Sequence, residues 1–105
     1  MEDKLLKIIS FYGVIPQLKY FQSEVFELNE AIIEYETLYN NDSTMKQLEA
    51  CKNHIAEEIA DVMVMLEQFK LYYGITSEEI TEIFWSKVDR QIGRIEKQME
   101  QMAGE

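Results

Sequence analysis

Four acidic residues stand in two pairs, each pair three residues apart: Glu24 with Glu27, and Glu58 with Asp61. On a helix that spacing puts both carboxylates of a pair on one face. At about 100° per residue, Leu18, Phe21, Val25, Leu28, Ile32, Tyr35 and Tyr39 form an apolar stripe. Glu24 falls on its edge, between Tyr35 and Ala31, and Glu27 lies next to it one turn on. A second stripe of Leu48, Cys51, Ile55, Val62, Leu66, Phe69 and Tyr73 encloses Glu58, with Asp61 at its edge beside His54. Glu30 and Glu36 fall further round as solvated positions, and Glu57 and Glu67 point away. A carboxylate within an apolar stripe is costly unless its charge is offset, yet Lys19 is the sole basic residue of 16–39. For one Glu, an acidic surface is the simpler account. Two ordered pairs on inner edges point to a hard divalent cation such as Mg²⁺, which takes oxygen ligands and shares its shell with water and phosphate.

A phosphate ligand would also need cations. The last stripe, Ile80, Phe84, Val88, Ile95 and Met99, carries Lys87 and Arg94 along one edge with Arg90 nearby. Singly, each reads as a surface cation lying along an apolar face. Together, their spacing suits the oxygens of a polyphosphate.

The elements that must position these groups read as helices. One Pro and four Gly interrupt 105 residues, so breaks are few. The pattern predicts a short helix over 3–12 ended by Gly13, and a second over 16–39 with Pro16 in its first turn. Residues 40–43 form the clearest loop, Asn-Asn-Asp-Ser. Thr44 with Gln47, and Thr76 with Glu79, are capping boxes that open helices over 44–73 and 76–99, and Gly74 suits a helix C-terminus. Helices of that length run about 40 Å at about 1.5 Å per residue. They leave much apolar surface uncovered in a lone chain, so a homo-dimer or tetramer is expected, as a long-helix, all-α bundle completed by oligomerisation.

Composition narrows the function classes. The length fits a single domain, 1–105, and 10 Lys+Arg against 20 Asp+Glu give a net charge of −10. That balance argues against polymeric nucleic acid as a direct partner, since phosphate contacts need positive patches. A nucleotide remains compatible where a cation mediates. The longest apolar run, Val62 to Leu66, is too short to span a bilayer. Glu2 and Asp3, with no small-residue cleavage site, argue against a signal peptide. The lone Cys51 excludes an internal disulfide and suits a reducing cytoplasm; on the inner stripe it reads as a small core residue. Trp85, the sole tryptophan, lies off its stripe and reads first as an interface anchor, second as a base-stacking residue. Phe11, Tyr12 and Tyr20 read as core packing first and as part of a base pocket second.

With these residues in place, the chain resembles the MazG-like all-α nucleoside triphosphate pyrophosphohydrolases over roughly residues 15–95. The family's Glu-Glu-x-x-Glu is matched by Ser23-Glu24-Val25-Phe26-Glu27, and its Glu-x-x-Asp by Glu58-Ile59-Ala60-Asp61. The resemblance implies a MazG-like four-helix-bundle architecture. It also implies a Mg²⁺-dependent (or Mn²⁺-dependent) enzyme cleaving a nucleoside triphosphate between the α and β phosphates to a monophosphate and pyrophosphate. Glu24, Glu27, Glu58 and Asp61 would then hold metal, with Glu24 or Glu27 activating water. Lys87, Arg90, Gln91 and Arg94 would meet the substrate, and Lys87 matches the family's last-helix lysine. Three departures stand out: Ser23 replaces the first Glu, 28–57 is longer than usual, and Gln91 stands where many members carry Asn.

Two other classes compete with this reading. An acidic helical interaction protein, a DNA mimic or adaptor, fits the charge but predicts carboxylates spread outward. A carboxylate-bridged di-iron bundle needs two Glu-x-x-His helices, and the one His, His54, follows Ala50 and Cys51.

Overall fold

The computed structural model describes residues 2–104 and is all-α, with no strand among the described residues. Four helices follow in order: α1 (Glu2–Tyr12), α2 (Val14–Tyr39), α3 (Met45–Tyr72) and α4 (Ser77–Ala103). Their ends are set by local chemistry. Gly13 separates α1 from α2 at φ 90, ψ 157, a region that essentially only glycine occupies, and Pro16 lies in the first turn of α2 as the sequence predicts. Beyond Tyr39, the side-chain amides of Asn40 and Asn41 donate to the carbonyls of Glu36 and Thr37, and Ser43 Oγ donates to that of Leu38. The Asn41 side-chain amide thereby takes the Thr37 carbonyl, while those of Glu36 and Leu38 also accept from the backbone amides of Asn40 and Asn41. Both capping boxes form in full. Thr44 Oγ1 accepts from the Gln47 amide while the Gln47 side chain takes the Thr44 amide, and Thr76 pairs likewise with Glu79. Helix α4 runs to Ala103, past the expected end near 99, because residues 100–103 are good helix formers with Gly104 after them.

The chain divides into two compact units, Met1–Tyr73 and Gly74–Glu105. In the first, α3 packs against both α2 and α1. Helices α2 and α3 run antiparallel. Gln17 meets Gln68 and the Phe21 and Phe69 rings stand edge to face at 5.7 Å, while Cys51 Sγ lies 3.8 Å from Glu34 Oε1 further along. Burial, then the Glu34 carboxylate, push the Cys51 thiol up from its ordinary value.

The inward faces alternate at spacings of three and four, the pattern of a two-helix seam. On α2 they are Val14, Gln17, Phe21, Glu24, Leu28, Ala31, Tyr35 and Leu38; on α3, Leu48, Cys51, Ile55, Glu58, Val62 and Met65. This seam differs from the apolar stripe of the sequence. Phe21, Leu28 and Tyr35 are shared, but Leu18, Val25, Ile32 and Tyr39 are exposed, as are Leu66 on α3 and Tyr73 just past its end. The face has turned toward Glu24, which moves from the stripe's edge to the seam itself.

The second unit is α4. None of its residues is buried, and Ile80, Phe84, Ile95 and Met99 are all exposed. No helix among the described residues is long and apolar enough to cross a membrane.

Candidate metal centre

Glu24 sits midway along α2 and Glu58 midway along α3, each at a seam position that an apolar residue would ordinarily fill. They are only 4% and 8% exposed. Glu27, one turn beyond Glu24, is exposed and leans to the same point. Carboxylate oxygens of Glu24, Glu27 and Glu58 lie within 4.8 Å of one another. Glu24 Oε2 and Glu58 Oε2 are buried without a hydrogen-bond partner. Taking an ionised carboxylate out of water without a partner costs on the order of several kcal/mol.

Little in the protein offsets that cost. His54 Nε2 lies 3.2 Å from Glu58 Oε1, one turn apart on α3. Tyr20, one turn before Glu24, has its phenol pushed above the ordinary value, first by the Glu24 carboxylate, then by burial, and then by the charges of Asp61 and Glu27. Among the described residues no lysine or arginine pairs with Glu24, Glu27 or Glu58; Lys70 instead pairs with Glu67 at 2.7 Å.

The donor set fits a hard divalent cation. All three groups are carboxylates, they come from two rigid helices, and two of their oxygens have no other partner. One side is open at the exposed Glu27, where water and a ligand's oxygens have access.

Of the four acidic residues that the sequence singles out, three converge and Asp61 stands apart from their group. Asp61 is exposed, and it lines a cavity of about 540 Å³ together with Tyr20 and Gln17. Tyr12 lines the same cavity, whereas Phe11 is 80% exposed and does not. Lys87 and Arg90 line a shallow groove on α4 with Glu82, Ile83 and Ser86; Gln91 and Arg94 are exposed on the same helix. Gln17, Met65 and Gln68 are buried residues that apolar patterning passes over. The two glutamines are polar, and Met65 lies beside the stripe. Their signal was the heptad register through Glu24 and Glu58, which Gln17 and Met65 continue.

Comparison with known proteins adds nothing to this geometry: the chain matches no family model, no curated protein and no solved structure.

Proposed function

We propose that the protein is a Mg²⁺-dependent nucleoside triphosphate pyrophosphohydrolase, cleaving between the α and β phosphates to release a monophosphate and pyrophosphate. The observation that carries the reading is the pair of buried oxygens, Glu24 Oε2 and Glu58 Oε2, that lack a partner and converge with the Glu27 carboxylate. The MazG-like resemblance of the motif residues supports it. An interaction protein working through surface charge has no use for carboxylates placed in a helix seam, where they cost stability.

In this reading Glu24, Glu27 and Glu58 hold the cation, with Asp61 one turn on from Glu58. Bound Mg²⁺ would supply charge neutralisation at the phosphate oxygens. Glu27, exposed beside two buried carboxylates, is placed to accept a proton from an attacking water, and Glu24 is the alternative base. Lys87, Arg90, Gln91 and Arg94 are assigned to the oxygens of the triphosphate, where a guanidinium offers paired donors and an ammonium a point charge. The working form is a homo-dimer or tetramer, a helical bundle completed between copies, supported by the apolar side chains that one chain leaves in water.

The test is pyrophosphate release from a panel of NTPs and dNTPs with Mg²⁺. Glu24→Gln and Glu58→Gln are expected to lower turnover by at least about a hundredfold, in the range of a lost charge-stabilising group, with helical circular dichroism retained. Full activity in both variants removes the assigned site. Lys87→Ala is expected to raise KM for the triphosphate while Mg²⁺ affinity is kept; an unchanged KM counts against its phosphate role.

A further inference from the structure

Gln17 and Gln68 are buried amides that the metal centre does not use. Gln17 Nε2 donates to Gln68 Oε1 at 2.8 Å across the seam of α2 and α3. Both amide nitrogens also approach Met65 Sδ, at 4.0 and 3.8 Å, and a thioether is a weak acceptor. Gln68 Nε2 therefore has no strong acceptor of its own. Exchanging both members of such a pair for apolar groups of similar shape is close to neutral for stability, so packing alone does not account for two glutamines here.

Their surroundings do. The pair lines the cavity of about 540 Å³ whose apolar walls include Ile8, Tyr12, Pro16 and Val64. Apolar walls with a few convergent polar groups are how small flat ligands are held. Tyr20 and Asp61 line the same cavity, and they stand one turn before Glu24 on α2 and one turn after Glu58 on α3, so cavity and carboxylates adjoin. Gln17 precedes Glu24 by two turns on α2, a path of about 10 Å at about 1.5 Å per residue, comparable to the reach of one nucleoside from its phosphate.

We propose that this cavity receives the heterocyclic base of the nucleotide, with Gln17 and Gln68 selecting the base by pairing with its hydrogen-bonding edge. The proposal rests on the nucleotide reading of the carboxylates and adds to it the subsite and residues that set base preference. A carboxamide presents a donor and an acceptor side by side, which is what the edge of a nucleobase requires. The contact between the two amides holds them in one orientation, so one arrangement of donors and acceptors is favoured over its reverse.

Two measurements test it. Hydrolysis of dATP, dCTP, dGTP and dTTP with Mg²⁺ gives the ratio of kcat/KM between the best and worst base. Gln17→Leu and Gln68→Leu, with helicity checked, are expected to compress that ratio by about tenfold or more, as losing a base-edge contact does. Separately, the side-chain amide resonances of Gln17 and Gln68 in the wild-type protein are followed by NMR as dAMP, dCMP, dGMP or dTMP is added without metal. They are expected to move for the preferred base, a readout that needs no variant to fold and no turnover. Amides that stay still for all four nucleotides overturn the cavity assignment even where hydrolysis is intact, and so does a base ratio that both variants leave unchanged. Amides that move in a protein hydrolysing none of the four substrates keep the cavity and overturn the hydrolase reading. Still amides together with no hydrolysis remove both.

Discussion

Glu24 shows how one residue connects stability to function. Its carboxylate is buried in the α2–α3 seam with Oε2 unpartnered, beside the acidic groups of Glu58 and Glu27. In the absence of a cation these charges work against the fold. Glu24→Gln keeps the shape while removing one of the charges. The variant is therefore expected to melt higher than wild type in EDTA, by about 4 °C or more if roughly 1 kcal/mol is relieved in a domain of this size. In Mg²⁺ the order is expected to reverse. A ligand at about a hundred times its Kd adds about 2.7 kcal/mol, which raises the wild-type midpoint by about 10 °C and the variant's by much less. Thermal melts in EDTA and in Mg²⁺ check both halves. A wild-type midpoint indifferent to Mg²⁺, with Glu24→Gln melting lower in both buffers, would show that the carboxylates settle their charge by sharing a proton or by other contacts.

The helix ends were legible from local sequence because they depend on local chemistry. Thr44 with Gln47, Thr76 with Glu79, and Gly13 with Pro16 act through atoms three or four residues apart, and the structure places all of them as the sequence predicts. The seam was legible only in part. Hydrophobic patterning weights Leu18, Val25 and Ile32, and cannot tell a face that turns toward α3 from one that meets another surface. Gln17, Glu24 and Ala31 are the residues that turn inward. For the same reason the four acidic candidates could be named from spacing, whereas the convergence of three with Asp61 apart required the α2–α3 register. Gly13 gives the sharpest test at this scale. A Cβ there would meet only Pro16 Cδ, at 3.6 Å, an ordinary contact, so space does not forbid alanine. The backbone does, since φ 90 with ψ 157 strains any L side chain. Gly13→Ala is expected to destabilise the protein by about 1–3 kcal/mol, seen as a lower midpoint in urea at unchanged slope. A midpoint equal to wild type would mean that the α1–α2 junction adopts another conformation in solution.

At the scale of the whole molecule, charge and apolar exposure pull in opposite directions. A net charge of −10 on 105 residues repels a second copy, while Ile80, Phe84, Ile95 and Met99 along α4 leave an apolar face in water. Burial of apolar surface contributes roughly 25 cal/mol per Å², and repulsion between exposed charges fades beyond about 8 Å at physiological ionic strength. The proposed oligomer is therefore expected to tighten as salt rises, the opposite of an assembly held by ion pairs. Sedimentation at micromolar concentration is expected to give a mass of two or four times 12.4 kDa in moderate salt, with dissociation promoted by dilution at low salt. Trp85 supplies an internal probe. It is the sole tryptophan and is 57% exposed in the single chain, edge to face with Phe84 at 5.2 Å. If copies associate through α4, its emission lies to the blue in the oligomer and moves to the red over the same dilution range in which the mass falls. A chain that sediments at 12.4 kDa at every salt concentration, with red emission throughout, would rule out completion of the bundle by a second copy. Mass that falls while Trp85 emission stays constant would keep the oligomer and move its interface away from this part of α4.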